Sequence, residues 1–144
     1  MWTKRLIQFA RLPAADRGLL VEALLALCTA GLRLRVSPFS RIAGRLGQHM
    51  AETAETEDSP KLLEARRVRW AVETSARHLP WKPVCLPQAL AAKRMLARRG
   101  IASTLYLGVD PARKLDAHAW VRVGRVIVTG GPREERFTVV STFA

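Results

Sequence analysis

The chain has 144 residues, which is the length of one domain rather than two. Hydrophobic residues make up 49% of it and charged residues 25%, which is typical of an ordinary globular domain and excludes a wholly disordered, collagen-like or disulfide-framework protein. The 24 Lys and Arg against 12 Asp and Glu leave a net charge of +12. Such a charge favours binding of nucleic acid, anionic lipid or an acidic peptide or protein, but it does not indicate which of these the protein binds.

The amino-terminal part of the chain is predicted to be helical. One helix begins near residues 13–16, where Asp16 suits the positive end of the helix, and runs to about Leu34. Its most apolar part, residues 18–32, is shorter than the ~20 residues a spanning helix needs and contains Glu22. We therefore predict a buried or interfacial helix and no stable membrane span.

The location of the protein is predicted to be cytoplasmic. Charged residues interrupt any apolar core after the amino terminus, so no signal peptide is indicated. Cys28 and Cys85 are the only cysteines, and they differ in setting. They imply no structural disulfide, which fits a reducing compartment.

Three further helices are predicted before the strands begin. Pro38 ends the first helix, a short one is expected over residues 39–49, and residues 51–59 are a loop or a helix entry. Apolar residues at helical spacing between Pro60 and Pro80 predict a surface helix. The last helix covers residues 86–99 and places Cys85 at its amino terminus, because Pro87 suits a first turn and Gly100 a left-handed stop.

Beyond Gly100 the apolar period changes from about 3.6 to 2, which predicts strands. The predicted strands are residues 103–109, 117–123, 125–129 and 137–143. The fold class is therefore α+β: amino-terminal helices, then a cysteine-bearing helix packed on an antiparallel β meander. We predict a single domain, 1–144, with a helical part at 1–60 and a catalytic core at 80–144.

Two residues suggest nucleophilic chemistry. A helix amino terminus favours the thiolate form of a cysteine, which is the attacking species. Cys85 with a histidine partner could therefore act as the nucleophile in acyl transfer. His118 is the candidate partner, on a strand face shared with Asp116, Trp120 and Arg122. A lone strand histidine is more often structural than catalytic, so this pattern alone leaves both readings open.

Other residues are interpreted as structural. Cys28 is predicted to be a small buried apolar residue, and His49 and His78 to be surface or helix-end residues. No metal or other cofactor is expected, because no pair among the cysteines and histidines has ligand-like close spacing. Nucleic-acid binding is disfavoured, because the aromatic residues do not interleave with basic ones as in a stacking platform.

The chain resembles a known family over nearly its whole length. The resemblance rests on the segments 11–17, 85–90, 96–101, 107–109 and 117–121, in that order. In this joint pattern the chain is similar to the B or B2 proteins of lasso peptide biosynthesis, which are transglutaminase-like leader cysteine peptidases.

The resemblance implies an activity, site residues and partners. Members cut the leader from a ribosomally made lasso precursor peptide, and an asparagine-synthetase-like, ATP-dependent cyclase then closes the ring. Cys85 corresponds to the nucleophile and His118 to the base that takes the thiol proton and later protonates the leaving amine. No cofactor of the peptidase itself is implied.

The sequence departs from the family's pattern in two places. An Asp usually follows on the next strand and orients the histidine, yet residues 126–131 contain no carboxylate. Asp116 lies two residues from His118 and ~7 Å away by strand rise, and Thr129 or a backbone carbonyl near it offers an alternative. Residues 1–16 are also too short for a fused leader-binding domain, so leader capture is expected to fall to a separate protein, the cyclase or the basic amino-terminal helices.

Two other functions remain open. The same pair would serve a transglutaminase-like amidase or acyltransferase acting on another substrate. The missing carboxylate also allows an inactive subunit that binds a peptide and escorts it to the cyclase.

Overall fold

A computed structural model describes residues 2–113, 116–132 and 134–144. Five helices and four strands lie in these ranges. The helices are α1 (Trp2–Arg11), α2 (Ala14–Val36), α3 (Phe39–Ala43), α4 (Ser59–His78) and α5 (Cys85–Arg98). The strands are β1 (Thr104–Val109), β2 (Ala117–Val123), β3 (Val126–Thr129) and β4 (Thr138–Phe143), with a short 3-10 turn at Glu134–Arg136. The predicted α+β class is confirmed.

The core lies between three helices and one face of the sheet. Helix α2 packs against α4 and α5, and α5 packs against β2. Alanines supply much of the helical contact surface, and the fully buried ones are Ala23, Ala65, Ala71, Ala89 and Ala92. Because a methyl group takes little space, these positions let the helix axes approach closely and leave room for larger side chains such as Leu27, Met95 and Leu96.

The four strands form one antiparallel sheet in the order β3-β2-β1-β4. The first three strands make the predicted meander, but β4 returns to pair with β1 instead of β3. This placement makes β1 a central strand, and most of its residues are buried. A strand buried on both faces needs a neighbour on each edge to satisfy its backbone groups, and β4 supplies the second one.

Helix α1 was not predicted, and α3 ends at Ala43 rather than at His49. Helix α1 has no buried residue, and its apolar side chains Trp2, Leu6 and Ile7 are exposed. Its apolar residues do recur at helical spacing, but a stripe within only ten residues is too short to predict a helix by itself, which explains why it was missed.

The prediction that Cys28 is buried is wrong, since it is exposed on α2. Helix α2 turns one face to the core, and its buried residues are Leu19, Leu20, Ala23, Ala26, Leu27 and Ala30. Cys28 lies on the opposite face with Val21, Leu25, Leu32 and Val36, which are exposed at spacings of three or four residues. Because α2 is apolar on both faces, its sequence did not reveal which face is buried.

In the described ranges no helix combines the length and hydropathy needed to cross a bilayer.

One arginine ties the three core helices together. Arg99 donates hydrogen bonds to Glu22 of α2 at 2.7 Å, to Glu64 of α4 at 3.0 Å and to the Met95 carbonyl of α5 at 2.8 Å. The hydrogen bond from Arg99 is the main cause that lowers the pKa of Glu22 below its ordinary value. A carboxylate whose folded pKa is lowered stabilises the fold above its unfolded pKa and loses that contribution as the pH falls.

Replacing Arg99 with Ala is expected to lower the free energy of unfolding at pH 7 by about 1–3 kcal/mol, because two carboxylates lose a charged donor. The loss should shrink as the pH falls below about 4 and through the lowered folded-state pKa of Glu22. Arg98→Ala is the matched control, since Arg98 is 65% exposed and lies 3.7 Å from Glu22. Urea denaturation at several pH values measures both variants, and equal losses would contradict the role of Arg99.

Candidate active site

Cys85 is the first residue of α5 and is half-buried. Val84, the residue before Cys85, has an extended backbone conformation, and Pro83 is buried. The Gln88 side chain donates a hydrogen bond from Nε2 to the Pro83 carbonyl at 2.7 Å. This bond joins the first turn of α5 to the loop before it, so it fixes the direction in which the chain enters the helix. The predicted placement of Cys85 at a helix amino terminus is confirmed.

His118 lies in β2, opposite Gly108 of β1, and is half-buried. Its neighbour Ala119 packs into the core shared with the helices. The His118 ring stacks on Phe137, with 4.7 Å between ring centroids, and on Trp120, with 5.8 Å. The imidazole is therefore held between two aromatic rings, which restrict its rotation about the side-chain bonds.

A backbone carbonyl contacts the His118 ring. The Nε2 atom lies 2.5 Å from the carbonyl oxygen of Gly130, at the end of β3. A carbonyl oxygen only accepts hydrogen bonds, so this contact requires the proton on Nε2. In the neutral ring the other nitrogen, Nδ1, then carries the free lone pair, and it makes no hydrogen bond to any residue that the structure describes.

The sequence left three orienting groups open, and the structure separates them. The Asp116 carboxylate makes no hydrogen bond to His118 in the described part of the chain. The Thr129 hydroxyl is buried and also lacks a partner there. The backbone carbonyl next to Thr129, that of Gly130, is the group in contact with the ring. The geometry therefore favours the carbonyl over Asp116 and Thr129.

Two glycines make this arrangement possible. Gly130 has φ +85°, and a Cβ there would lie 2.5 Å from the Ala119 carbonyl oxygen. A Cβ on Gly108 would lie 2.8 Å from Phe137 and 2.9 Å from Trp120, the two residues that flank the imidazole. From the sequence a backbone carbonyl near Thr129 was one of the possible orienting groups, but Gly108 and Phe137 were not connected with the site. Residues distant in sequence meet here, so no local pattern indicated them.

One buried carboxyl group lies near this turn. The Oε2 atom of Glu134 is buried without a hydrogen-bond partner among the described residues. It faces Gly131, where a Cβ would be 3.3 Å away. Glu134 was not predicted from the sequence, because it lies beyond the strand that carries the acid in the resembled family.

The effect of each carboxylate on catalysis can be tested directly. Asp116→Asn is expected to change kcat/KM less than about tenfold, because the Gly130 carbonyl holds the ring without it. Glu134→Gln is the matched comparison, since it also replaces one carboxylate by its amide. Steady-state kinetics and thermal melting measure both variants. A loss on the order of 10³–10⁴-fold for Asp116→Asn would make Asp116 the missing triad member.

Cys85 and His118 belong to two elements in contact, α5 and β2. The described residues include no hydrogen bond between the Cys85 sulfur and the His118 ring. Catalytic hydrogen bonds are often long in the free protein and tighten when substrate binds. Within the described ranges no group of three His, Cys, Asp or Glu residues could hold a metal ion. His49 and His78 are exposed, as predicted.

The comparisons with known proteins assign the family. A family model described as the transglutaminase-like superfamily matches residues 26–142. No curated protein and no solved structure gives a significant match. The matched region contains Cys85, His118 and the whole sheet except Phe143, the last residue of β4. The superfamily includes cysteine peptidases and acyltransferases. The chain belongs to the transglutaminase-like superfamily.

Proposed function

We propose that this protein is a cysteine endopeptidase that removes the leader from a lasso precursor peptide. One observation supports the catalytic part of this proposal. The Nε2 atom of His118 contacts the Gly130 carbonyl, which leaves Nδ1 to accept a proton. The specific substrate is supported by the resemblance of residues 85–90 and 117–121 to the lasso leader peptidases. The proposed location, the cytoplasm, rests on the two cysteines, which imply no structural disulfide and fit a reducing compartment.

The proposed reaction proceeds through a thioester. His118 takes the Cys85 proton at Nδ1, and the sulfur attacks the scissile carbonyl carbon. The backbone N–H of Cys85, in the first turn of α5, would stabilise the oxyanion. The tetrahedral intermediate collapses, the C–N bond breaks, and the imidazolium gives its proton to the leaving amine. A water molecule activated by His118 then hydrolyses the thioester and restores the thiol.

A second candidate function differs only in the acceptor. An amine in place of water would attack the same thioester and form a new amide, as an acyltransferase does. Mass spectrometry of the products distinguishes the two, since hydrolysis gives a free carboxylate and acyl transfer gives an adduct.

The third candidate, an inactive peptide-binding subunit, predicts an unreactive thiol. Alkylation is best followed in a Cys28→Ala background, because Cys28 is exposed and would react as well. We expect Cys85 to react faster near neutral pH than the exposed Cys28 does in the reciprocal Cys85→Ala protein. Equal rates together with no cleavage would favour the inactive subunit.

The proposed partners are the precursor peptide, the asparagine-synthetase-like cyclase and a separate leader-binding protein. Helix α2 offers a docking face for one of these proteins in the exposed residues Val21, Leu25, Leu32 and Val36. An apolar stripe of this kind suits a groove or helix on a protein partner. Leu27 is fully buried, so it belongs to the core and not to this face.

This docking face gives a prediction about assisted cleavage. The purified protein is expected to cleave slowly alone and faster with a leader-binding protein or cyclase of the same pathway. Leu25→Ser with Leu32→Ser should reduce the acceleration and leave unassisted cleavage and the melting temperature nearly unchanged. Leu27→Ala is the contrasting variant, since a buried leucine costs about 2–5 kcal/mol of stability. Full-speed cleavage without a partner would contradict the docking role.

The proposed function is tested by incubating the protein with the candidate precursor peptide. Mass spectrometry should show one cut between leader and core, and no cut in a scrambled peptide of the same composition. Precursors are identified as short reading frames beside this gene, next to a cyclase gene. Cleavage of unrelated amides with no cut in any such precursor would support the amidase instead.

A further inference from the structure

Helix α1 makes little contact with the rest of the described chain. None of its residues is buried, and within the described ranges no other helix or strand packs closely against it. It is held at its carboxyl end, where Phe9 and the following Leu12 are half-buried against the core. The proposed peptidase reaction uses no residue of α1, so it does not account for this helix.

The apolar and cationic residues of α1 lie on opposite sides of the helix. At 3.6 residues per turn the large apolar side chains and one alanine fall within an arc of about 160°, and they are Trp2, Leu6, Ile7, Phe9 and Ala10. The remaining arc carries Lys4, Arg5, Gln8 and Arg11. Trp2 is 80% exposed, Leu6 63% and Ile7 52%. Three large apolar side chains exposed on one side of a helix indicate a surface that another molecule covers.

The charge of α1 is wholly positive. The helix contains Lys4, Arg5 and Arg11 and no acidic residue. Within the described ranges none of these three forms an ion pair. The first carboxylate along the chain, that of Asp16, is already bonded to Arg67 of α4 at 3.0 Å. The cations of α1 therefore remain available to an anionic partner.

We propose that α1 binds the surface of an anionic phospholipid bilayer and lies in the plane of its headgroups. A helix with Trp, Phe and Leu on one side and Lys and Arg on the other is typical of interfacial binding. The apolar side enters the boundary between headgroups and acyl chains, and the cations contact lipid phosphates. Trp2 suits this depth, because its indole ring is apolar while its N–H bonds to the wet interface.

A bilayer accounts for both sides of α1 better than a protein does. A groove on a protein covers an apolar helix face and leaves the opposite face in water, so it gives the three cations no partner. A second copy of this chain would bring the same cations together, and like charges repel. The helix is about 15 Å long, which is about half the hydrocarbon thickness of a bilayer, so it lies on the membrane and does not cross it.

Binding is tested by flotation of the full-length protein with vesicles. Vesicles of phosphatidylglycerol and phosphatidylethanolamine supply the anionic surface, and vesicles of phosphatidylcholine supply a neutral one. We expect the partition coefficient to be at least about tenfold higher for the anionic vesicles and to fall as salt is added. Equal partition into the two kinds of vesicle would overturn the proposal.

A matched pair of double variants separates α1 from other exposed apolar residues. Leu6→Ser with Ile7→Ser should weaken partition into anionic vesicles at least about tenfold, because two side chains that enter the bilayer are lost. Leu25→Ser with Leu32→Ser removes two leucines of similar exposure from α2 and should change partition less than about twofold. All four residues are exposed, so both proteins should keep the melting temperature of the unaltered protein. Equal losses of partition in the two proteins would overturn the assignment to α1.

The cations are tested with a second matched pair. Lys4→Gln with Arg5→Gln should weaken partition at least about tenfold, since each cation at an anionic surface contributes about fivefold. Arg66→Gln with Arg77→Gln removes the same charge from exposed positions on α4 and should change partition less than about threefold. A larger loss from the α4 pair than from the α1 pair would contradict the proposed orientation on the membrane.

Docking of α1 on a protein is the alternative outcome. In that case the full-length protein would bind neither kind of vesicle, and Leu6→Ser with Ile7→Ser would weaken its binding to the purified cyclase instead. That result would overturn the proposal. Binding to vesicles of pure lipid that is lost in the α1 variants and kept in the α2 variant supports it. Flotation needs no substrate, so failure of the proposed peptidase function would leave this result unchanged.

Discussion

Replacing Cys85 with Ala is expected to abolish precursor cleavage, with a loss in kcat/KM on the order of 10³-fold or more. The thiol supplies the only nucleophile in the proposed reaction, and alanine cannot form the thioester. Cys85 is half-buried at the first position of α5, where alanine fits a helix at least as well. Thermal melting should therefore show a folded protein with nearly unchanged stability.

Cys28→Ala is the matched control for this variant. The same thiol is removed, but from the exposed face of α2. Its kcat/KM should equal that of the unaltered protein, and its free energy of unfolding should change by less than about 0.5 kcal/mol. If the Cys85→Ala protein still trims the leader, or if Cys28→Ala does not, the assignment of the nucleophile is wrong.

The fold was largely predictable where one pattern dominates the sequence. Strand β2 has the predicted bounds, because the alternation of Ala119, Val121 and Val123 with polar or aromatic neighbours is unambiguous. The start of α5 was predictable within one residue, because proline and glycine mark both of its ends. In these elements the local preference and the tertiary contacts agree.

The predictions failed where a residue's environment depends on distant elements. The buried face of α2 was not predictable, because the helix is apolar all round and only α4 and α5 select the side that carries Leu27. The partner of β4 was not predictable from its own alternation, since either edge of the meander presents the same backbone groups. Both choices are made by packing and not by propensity.

The candidate site likewise contains residues that could be predicted from the sequence and a group that could not. Cys85 and His118 could be named from the sequence because each lies in a short motif. The group that holds the His118 ring is a backbone carbonyl, which every residue possesses, so no residue type could have indicated Gly130. The turn that presents this carbonyl depends on the left-handed conformation of Gly130, with φ +85°. A carbonyl near Thr129 was among the orienting groups that the sequence left open, and only the three-dimensional structure distinguishes it from Asp116 and the Thr129 hydroxyl.

Replacing His118 with Ala is expected to lower kcat/KM on the order of 10³-fold, because the thiol loses its base and the leaving amine its acid. Alkylation of Cys85 should slow as well, which distinguishes loss of the base from loss of substrate binding. The stacking contacts with Phe137 and Trp120 are lost too, so stability should fall by about 1 kcal/mol.

His78→Ala is the matched control, because His78 is exposed at the end of α4 and, among the residues that the structure describes, bonds only the Thr74 carbonyl of its own helix. Its cleavage and alkylation rates should match those of the unaltered protein. A His118→Ala protein that cleaves at an ordinary rate would show that the base lies elsewhere.

The double variant Cys85→Ala/His118→Ala tests whether the two residues act as one unit. Residues that share one step are strongly non-additive, so the double variant should be no slower than Cys85→Ala alone. Two independent contributions would instead multiply, giving a loss on the order of 10⁶-fold. Single-turnover kinetics with excess protein can measure rates this slow. Multiplicative losses would contradict a Cys–His pair in which the imidazole acts through the thiol.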